Sequence, residues 1–189
     1  MALPVGLTID VDGDEALLKS IGGIRERLQH PLQAYKVTAN LLEKHVRGIF
    51  QSQGKRLGRG WKKLAPSTVK ARTRRWGYYK RKAPAFGATG ASPILTWSGN
   101  LRLSFARGGA GHIRQISQSG LIWGSSVTYG RFHDSPGPRA GRLPRRAILD
   151  FVTQFQKREI LVRPLQLWIQ GVPPGSIETV VGARIGVGP

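Results

Sequence analysis

The sequence predicts an α+β fold: a small antiparallel sheet packed by N-terminal and C-terminal helices, with a long basic loop and an extended C-terminal arm. Three observations carry this. Two segments before residue 55 repeat apolar residues at helical spacing, residues 112–129 alternate as a hairpin does, and helical spacing returns after Pro144. The 189 residues suit a single domain over 1–170, with 171–189 as a Gly/Pro-rich arm.

The elements follow in order. Val5, Leu7, Ile9 and Val11 alternate as a strand. Asp12 and Glu15 have the D-x-x-E spacing of a capping box, and Leu17, Leu18, Ile21, Ile24 and Leu28 then recur helically. Pro31 opens a second helix to about Ser52, with Leu32, Tyr35, Ala39, Leu42, Val46 and Ile49 on one face and Gly54 at its C-terminal end. Residues 54–93 are rich in Gly, Pro, Lys and Arg and read as a loop, with only "PSTVKARTRR" suited to a short helix. Ser98 is placed to cap a short helix through Leu101. "HIRQISQ" and "LIWGSSVTY" flank a turn at Ser119-Gly120. Leu121, Trp123, Ser125, Val127 and Tyr129 fall on one face of the second strand. Pro144 starts a helix carrying Ile148, Phe151, Val152 and Phe155, which Pro164 interrupts or restarts before Leu165, Trp168 and Ile169. The glycine-rich end is either a floppy tail or an arm that adds a strand to a neighbour.

Charge is the unusual feature of the composition. Lys+Arg number 30 against 10 Asp+Glu, for a net charge of +20. Residues 44–133 hold 18 bases and no acid, whereas residues 1–43 net −2 and residues 134–189 net +4. Such a field favours polyanions or an acidic protein surface and says nothing of fold. With no cysteine, disulfides and thiolate metal sites are excluded. No apolar run has the length of a membrane span, and "MALPVGLTID" lacks the pattern of a signal peptide, so a cytosolic origin is the expectation.

Chemical motifs are absent. "DVDGDE" departs from a calcium loop because Gly13 precedes Asp14 and the twelfth position is Ile21; a turn placing acids at a positive helix end explains it. His30, His45, His112 and His133 lack metal-ligand spacing, and His133-Asp134 reads as a loop edge rather than an acid–base pair. There is no nucleophile elbow and no phosphate-binding loop, and an acid-free stretch cannot house a two-metal nuclease. No enzyme and no cofactor is expected. The candidate DNA- or partner-binding residues are Lys55, Arg56, Arg59, Lys62, Lys63, Lys70, Arg72, Arg74, Arg75, Lys80, Arg81 and Lys82, interleaved with Trp61, Trp76, Tyr78 and Tyr79. Bases neutralise phosphates and aromatics stack on nucleobases or anchor in a protein groove; a solvated loop that only aids solubility uses the same residues.

Five segments in order carry a resemblance over about residues 40–155. "HVRGIFQSQG" ends a helix. "WKKLAPSTVKAR" follows a W-x-x-L-x-x-x-T run, and "ILTWSGNLRLSF" an I-L-x-x-[ST]-G-x-L-x-x-S signature. "LIWGSSVTYGRFHDSPGP" and "LPRRAILDF" complete the series. Together they resemble the virion-morphogenesis, or tail-completion, family of tailed bacteriophages. The matching positions are Trp61, Leu64, Thr68, Leu95, Ser98, Gly99, Leu101, Gly124, Tyr129, His133, Pro144 and Arg146. Ser98 stands where the family often has Thr, the insert between Thr68 and Ile94 is unusually basic, and nothing beyond Phe155 has a counterpart. The resemblance implies a non-enzymatic α+β subunit of the phage neck or head-proximal tail end. It implies a homo-oligomeric ring, commonly a hexamer, that completes the tail or joins it to the head, made in the host cytoplasm and built into the virion. Its partners would be neighbouring neck and tail proteins and DNA in the neck channel, with no membrane. A stand-alone basic nucleic-acid-binding protein is the alternative that the charge alone supports.

Overall fold

A computed structural model describes residues 14–58, 60–71, 94–95, 98–134, 144–151 and 153–186. The strand expected at residues 5–11, and Arg59, Arg72, Arg74, Arg75, Lys80, Arg81 and Lys82 of the basic segment, lie outside them. The helices are α1 (Asp14–Gln29), α2 (Leu32–Gln51), α3 (66–71), α4 (Asn100–Leu103), α5 (Gly130–Asp134), α6 (Gln154–Leu161), α7 (Arg163–Ile169) and α8 (Pro174–Arg184). A 3-10 turn spans Lys55–Leu57. Strands β1 (His112–Ser117) and β2 (Gly120–Ser125) pair antiparallel. The class is α+β.

Helix α2 is the axis. Its N-terminal half puts Val37 and Leu41 against Ile160 of α6, Leu167 of α7 and Ile177 and Val181 of α8. Its C-terminal half puts Val46, Ile49 and Phe50 against Trp61, Ile94, Leu101, Phe105 and Ile148, with Trp123 and Val127 of the hairpin side packed alongside. Two apolar clusters on one helix explain why more of α2 is buried than one stripe requires: Val37, Leu41 and His45 are covered as well as Ala39, Val46 and Ile49. The C-terminal helices thus pack on α2, and α2 in turn packs on the hairpin.

The end of α2 is set by backbone geometry. The Gln53 N–H bonds the Phe50 carbonyl and the Gly54 N–H bonds the Ile49 carbonyl, the pair of bonds that closes a Schellman motif. Gln53 takes the left-handed conformation at φ 52° and Gly54 follows at φ 79°. A Cβ on Gly54 would collide with the Trp61 indole, so glycine is needed for space as well as for φ.

Three expectations are corrected. Residues 174–184 are not an extended arm but helix α8, whose Ile177 and Val181 lie in the core; Pro174 occupies the first turn, where its missing N–H costs nothing. The segment from Pro144 to Phe151 is not helical, because the Asp134 carboxylate takes the Ile148 and Leu149 N–H groups at 2.7 and 2.9 Å. Helix α6 begins instead after Thr153, whose hydroxyl accepts the Gln156 N–H. The hairpin turn is Gln118-Ser119, since Ser117 pairs with Gly120. Pro164 does restart a helix, in the first turn of α7.

Candidate functional site

The basic candidates within the described residues divide in two. Lys55, Lys62, Lys63 and Lys70 are exposed. Arg56 is half-buried, lies over Gly48 so closely that a Cβ there would strike its guanidinium, and donates to the Gly186 carbonyl. Arg56 therefore ties the end of α2 to the chain after α8. Trp61 is not a stacking platform either. It is only 7% exposed, meets Phe50 edge-on at 5.4 Å, and donates its indole N–H to the Ala147 carbonyl at 3.0 Å.

Of the family-like positions, which span 61–146, four meet in the cluster around Phe50: Trp61, Leu64, Leu95 and Leu101. Leu64 and Leu95 pack on its edge and Leu101 is buried within it. Arg146 donates to the Lys62 carbonyl at 3.3 Å, and its own N–H goes to the His133 carbonyl at 2.8 Å. Gly99, at φ 76°, is the N-cap of α4; the Ser98 hydroxyl accepts the Asn100 N–H at 3.4 Å, so the cap falls one residue later than expected. Gly124 lies in β2, Pro144 is half-buried, Thr68 is half-buried in α3, and Tyr129 is exposed.

Sequence reasoning missed three polar residues. Gln53 accepts the Trp61 N–H on its backbone carbonyl at 2.8 Å and the Ile94 N–H on Oε1 at 2.6 Å. Glu43 accepts from Arg114 at 2.6 Å, and Arg114 also donates to Asn40 at 3.0 Å, clamping β1 to α2. Asp134 holds the segment after Pro144, as above. Glu43 and Asp134 are the two acids that bound the acid-free stretch, and this isolation was the available signal. Beside the clamp, Glu178 of α8 pairs with Lys44 at 3.0 Å and accepts from Asn40 at 3.2 Å. Burial raises the Glu178 pKa, but the hydrogen bonds from Lys44 and Asn40 and the charges of Lys44 and Arg114 outweigh it and hold the carboxyl below its ordinary value.

His133 and Asp134 form no acid–base pair. Desolvation, with the nearby Arg146 charge, lowers the His133 pKa, and an Asp134 oxygen is engaged by amides. Among the described residues no group of three His, Asp or Glu side chains is placed to hold a metal ion. No described helix is long and apolar enough to cross a membrane. A cavity of about 280 Å³ opens beside α5, lined by Leu101, Phe105, Val127, Arg131, Ile148 and Leu149 among others. Compared with known proteins, the chain matches no family model, no curated protein and no solved structure.

Proposed function

We propose that the chain is a structural subunit of the neck or head-proximal tail end of a tailed bacteriophage. It assembles as a homo-oligomeric ring, sixfold by the resemblance, that completes the tail or joins it to the head. The observation that supports this reading is the convergence of the ordered motifs. Trp61, Leu101 and Ile148 share one cluster, and Trp61–Ala147 and Arg146–Lys62 hydrogen bonds join motifs more than 80 residues apart. Motifs that build a rigid body and leave the basic segment between them suit an assembly subunit. The segment faces a neighbouring ring or DNA in the neck channel, and the protein resides in the virion.

The test is negative-stain microscopy of the purified protein, together with particles produced without it. Closed rings, and unjoined heads and tails in its absence, are the expected results. Normal joined particles without the protein would refute the reading. The exposed lysines and the net charge of +20 favour a second reading, a stand-alone nucleic-acid-binding protein. A monomer that binds random duplex with a steep salt dependence would support that instead.

A further inference from the structure

Among the described residues, helix α1 carries an apolar face that is largely uncovered. Leu17, Leu18, Ile21, Ile24 and Leu28 form one stripe, and Leu18 is 67% exposed, Leu17 59% and Ile21 53%. No residue of the helix is buried. It is fastened near its C-terminal end, where Arg27 donates to the Ile169 carbonyl and Trp168 donates to the Arg27 carbonyl. A 16-residue helix with Gly22-Gly23 at its centre is marginal on its own propensity, so its stability needs a surface to cover the stripe.

We propose that this surface is the cavity beside α5 of a second copy of the same chain. The cavity of about 280 Å³ is roughly twice the size of one that accepts benzene. Leu101, Phe105, Val127, Ile148 and the exposed Leu149 give it apolar walls, and its neighbourhood adds exposed Tyr129 and Phe132. Charge pairing is local: Asp14 and Glu15 open α1 and would face Arg131 in the cavity wall, while the carboxylate of Asp134, also in the wall, is turned through Oδ1 to the Ile148 and Leu149 amides. The two surfaces belong to opposite ends of α2. Helix α1 sits on α7, in the cluster around Leu41, whereas the cavity belongs to the cluster around Phe50. The occupant of each cavity therefore comes from another copy, and every copy offers one stripe and one cavity. Such a head-to-tail contact closes into a ring when its rotation permits. The proposal rests on the ring reading for closure alone.

The test uses the full chain and mass photometry. The wild type is expected to be oligomeric. L17E/I21E and, separately, F132E/L149E should each be monomeric with unchanged circular dichroism, since all four positions are exposed. Mixed together, these variants should form one-to-one dimers, because each retains the half the other lacks. D14K/E15K should weaken assembly about tenfold, and adding R131E should restore it. A monomeric wild type, an oligomer that survives either double variant, or a mixture that stays monomeric would overturn the proposal. If L17E/I21E leaves a visible ring intact, the docking fails and the ring reading stands. If α1 docks but the wild type forms only open chains, the docking stands and the ring reading fails.

Discussion

The side chain of Gln53 accepts the backbone N–H of Ile94 at 2.6 Å, across 41 residues of chain. The same residue's carbonyl accepts the Trp61 N–H, so one glutamine holds the points where the basic segment leaves the body and rejoins it. Gln53 does this from a left-handed conformation at φ 52°, which costs a residue with a Cβ about 1–2 kcal/mol. Gln53→Ala keeps that strain and loses the tie to Ile94. It should lower stability by about 1–2 kcal/mol and speed tryptic cleavage between Trp61 and Ile94. Unchanged cleavage would show that the tie does not restrain the segment.

Trp61 separates structure from nucleic-acid contact. Its ring is buried against Phe50 and its N–H bonds Ala147. Trp61→Ala should cost about 3–5 kcal/mol in denaturant unfolding. Trp61→Phe keeps most of the packing and leaves the Ala147 carbonyl unpaired, for a loss of about 1–3 kcal/mol. If either variant weakened DNA binding with its stability intact, the buried placement would be wrong.

Much of the body was legible because periodicity follows burial. Pro31 and the α2 stripe set a helix whose observed bounds are Leu32–Gln51, and the alternation from Ile113 to Trp123 set the hairpin. The turn slipped by one residue because Ser119-Gly120 is the stronger local signal, while cross-strand pairing places Gly120 inside β2. The helix expected after Pro144 lost to a tertiary contact: no local rule encodes Asp134 claiming the amides of Ile148 and Leu149. Helix α8 was hidden by its glycines and prolines, although Ile177 and Val181 stand at i, i+4. Within the basic segment, Arg56 and Lys55 are adjacent bases in sequence; only the tertiary placement of Arg56, over Gly48 and against Gly186, distinguishes a structural arginine from an exposed lysine.

Helix α8 supplies core residues, so its removal should unfold the first cluster rather than trim an arm. Ile177→Ala should destabilise by about 2–5 kcal/mol. Val180→Ala, at a largely exposed position of the same helix, should fall within about 1 kcal/mol of wild type. Equal effects from the two would contradict the observed facing of α8.

Acid should weaken the fold through His45. This imidazole stacks on Phe151, and its Nε2 lies 3.0 Å from the Asp150 carbonyl, which requires the ring N–H there. Desolvation lowers its pKa; the Asp150 carbonyl pulls the other way, and the Arg56 charge lowers it further. Above about pH 6.5 the ring is neutral folded and unfolded, and stability does not depend on it. As pH falls below that, the unfolded chain binds a proton that the folded chain refuses, so stability drops until the folded group titrates. His133, also lowered, adds to the same window. The melting temperature should fall between about pH 7 and pH 5, and His45→Gln should flatten part of that slope. A slope unchanged by the substitution would assign the acid sensitivity elsewhere.

The last prediction separates charge that binds from charge that builds. Lys62, Lys63 and Lys70 are exposed and free to meet phosphates or an acidic surface. Replacing all three with Gln removes up to three counterion-releasing contacts. For duplex DNA, the logarithm of affinity against the logarithm of salt should lose roughly 0.9 of slope per contact. The melting temperature should be unaffected, because none of the three side chains is needed for packing. Arg56→Gln should behave in the opposite way. Its guanidinium covers Gly48 and bonds the Gly186 carbonyl, so its loss unties the end of α2 from the chain after α8. Stability should fall by about 1–3 kcal/mol while the salt slope stays near the wild-type value. If instead Arg56→Gln reduced the slope as much as a lysine does and left the fold unmoved, the whole basic segment would be one undivided electrostatic surface, and the arginine's contact with Gly186 would carry no structural weight.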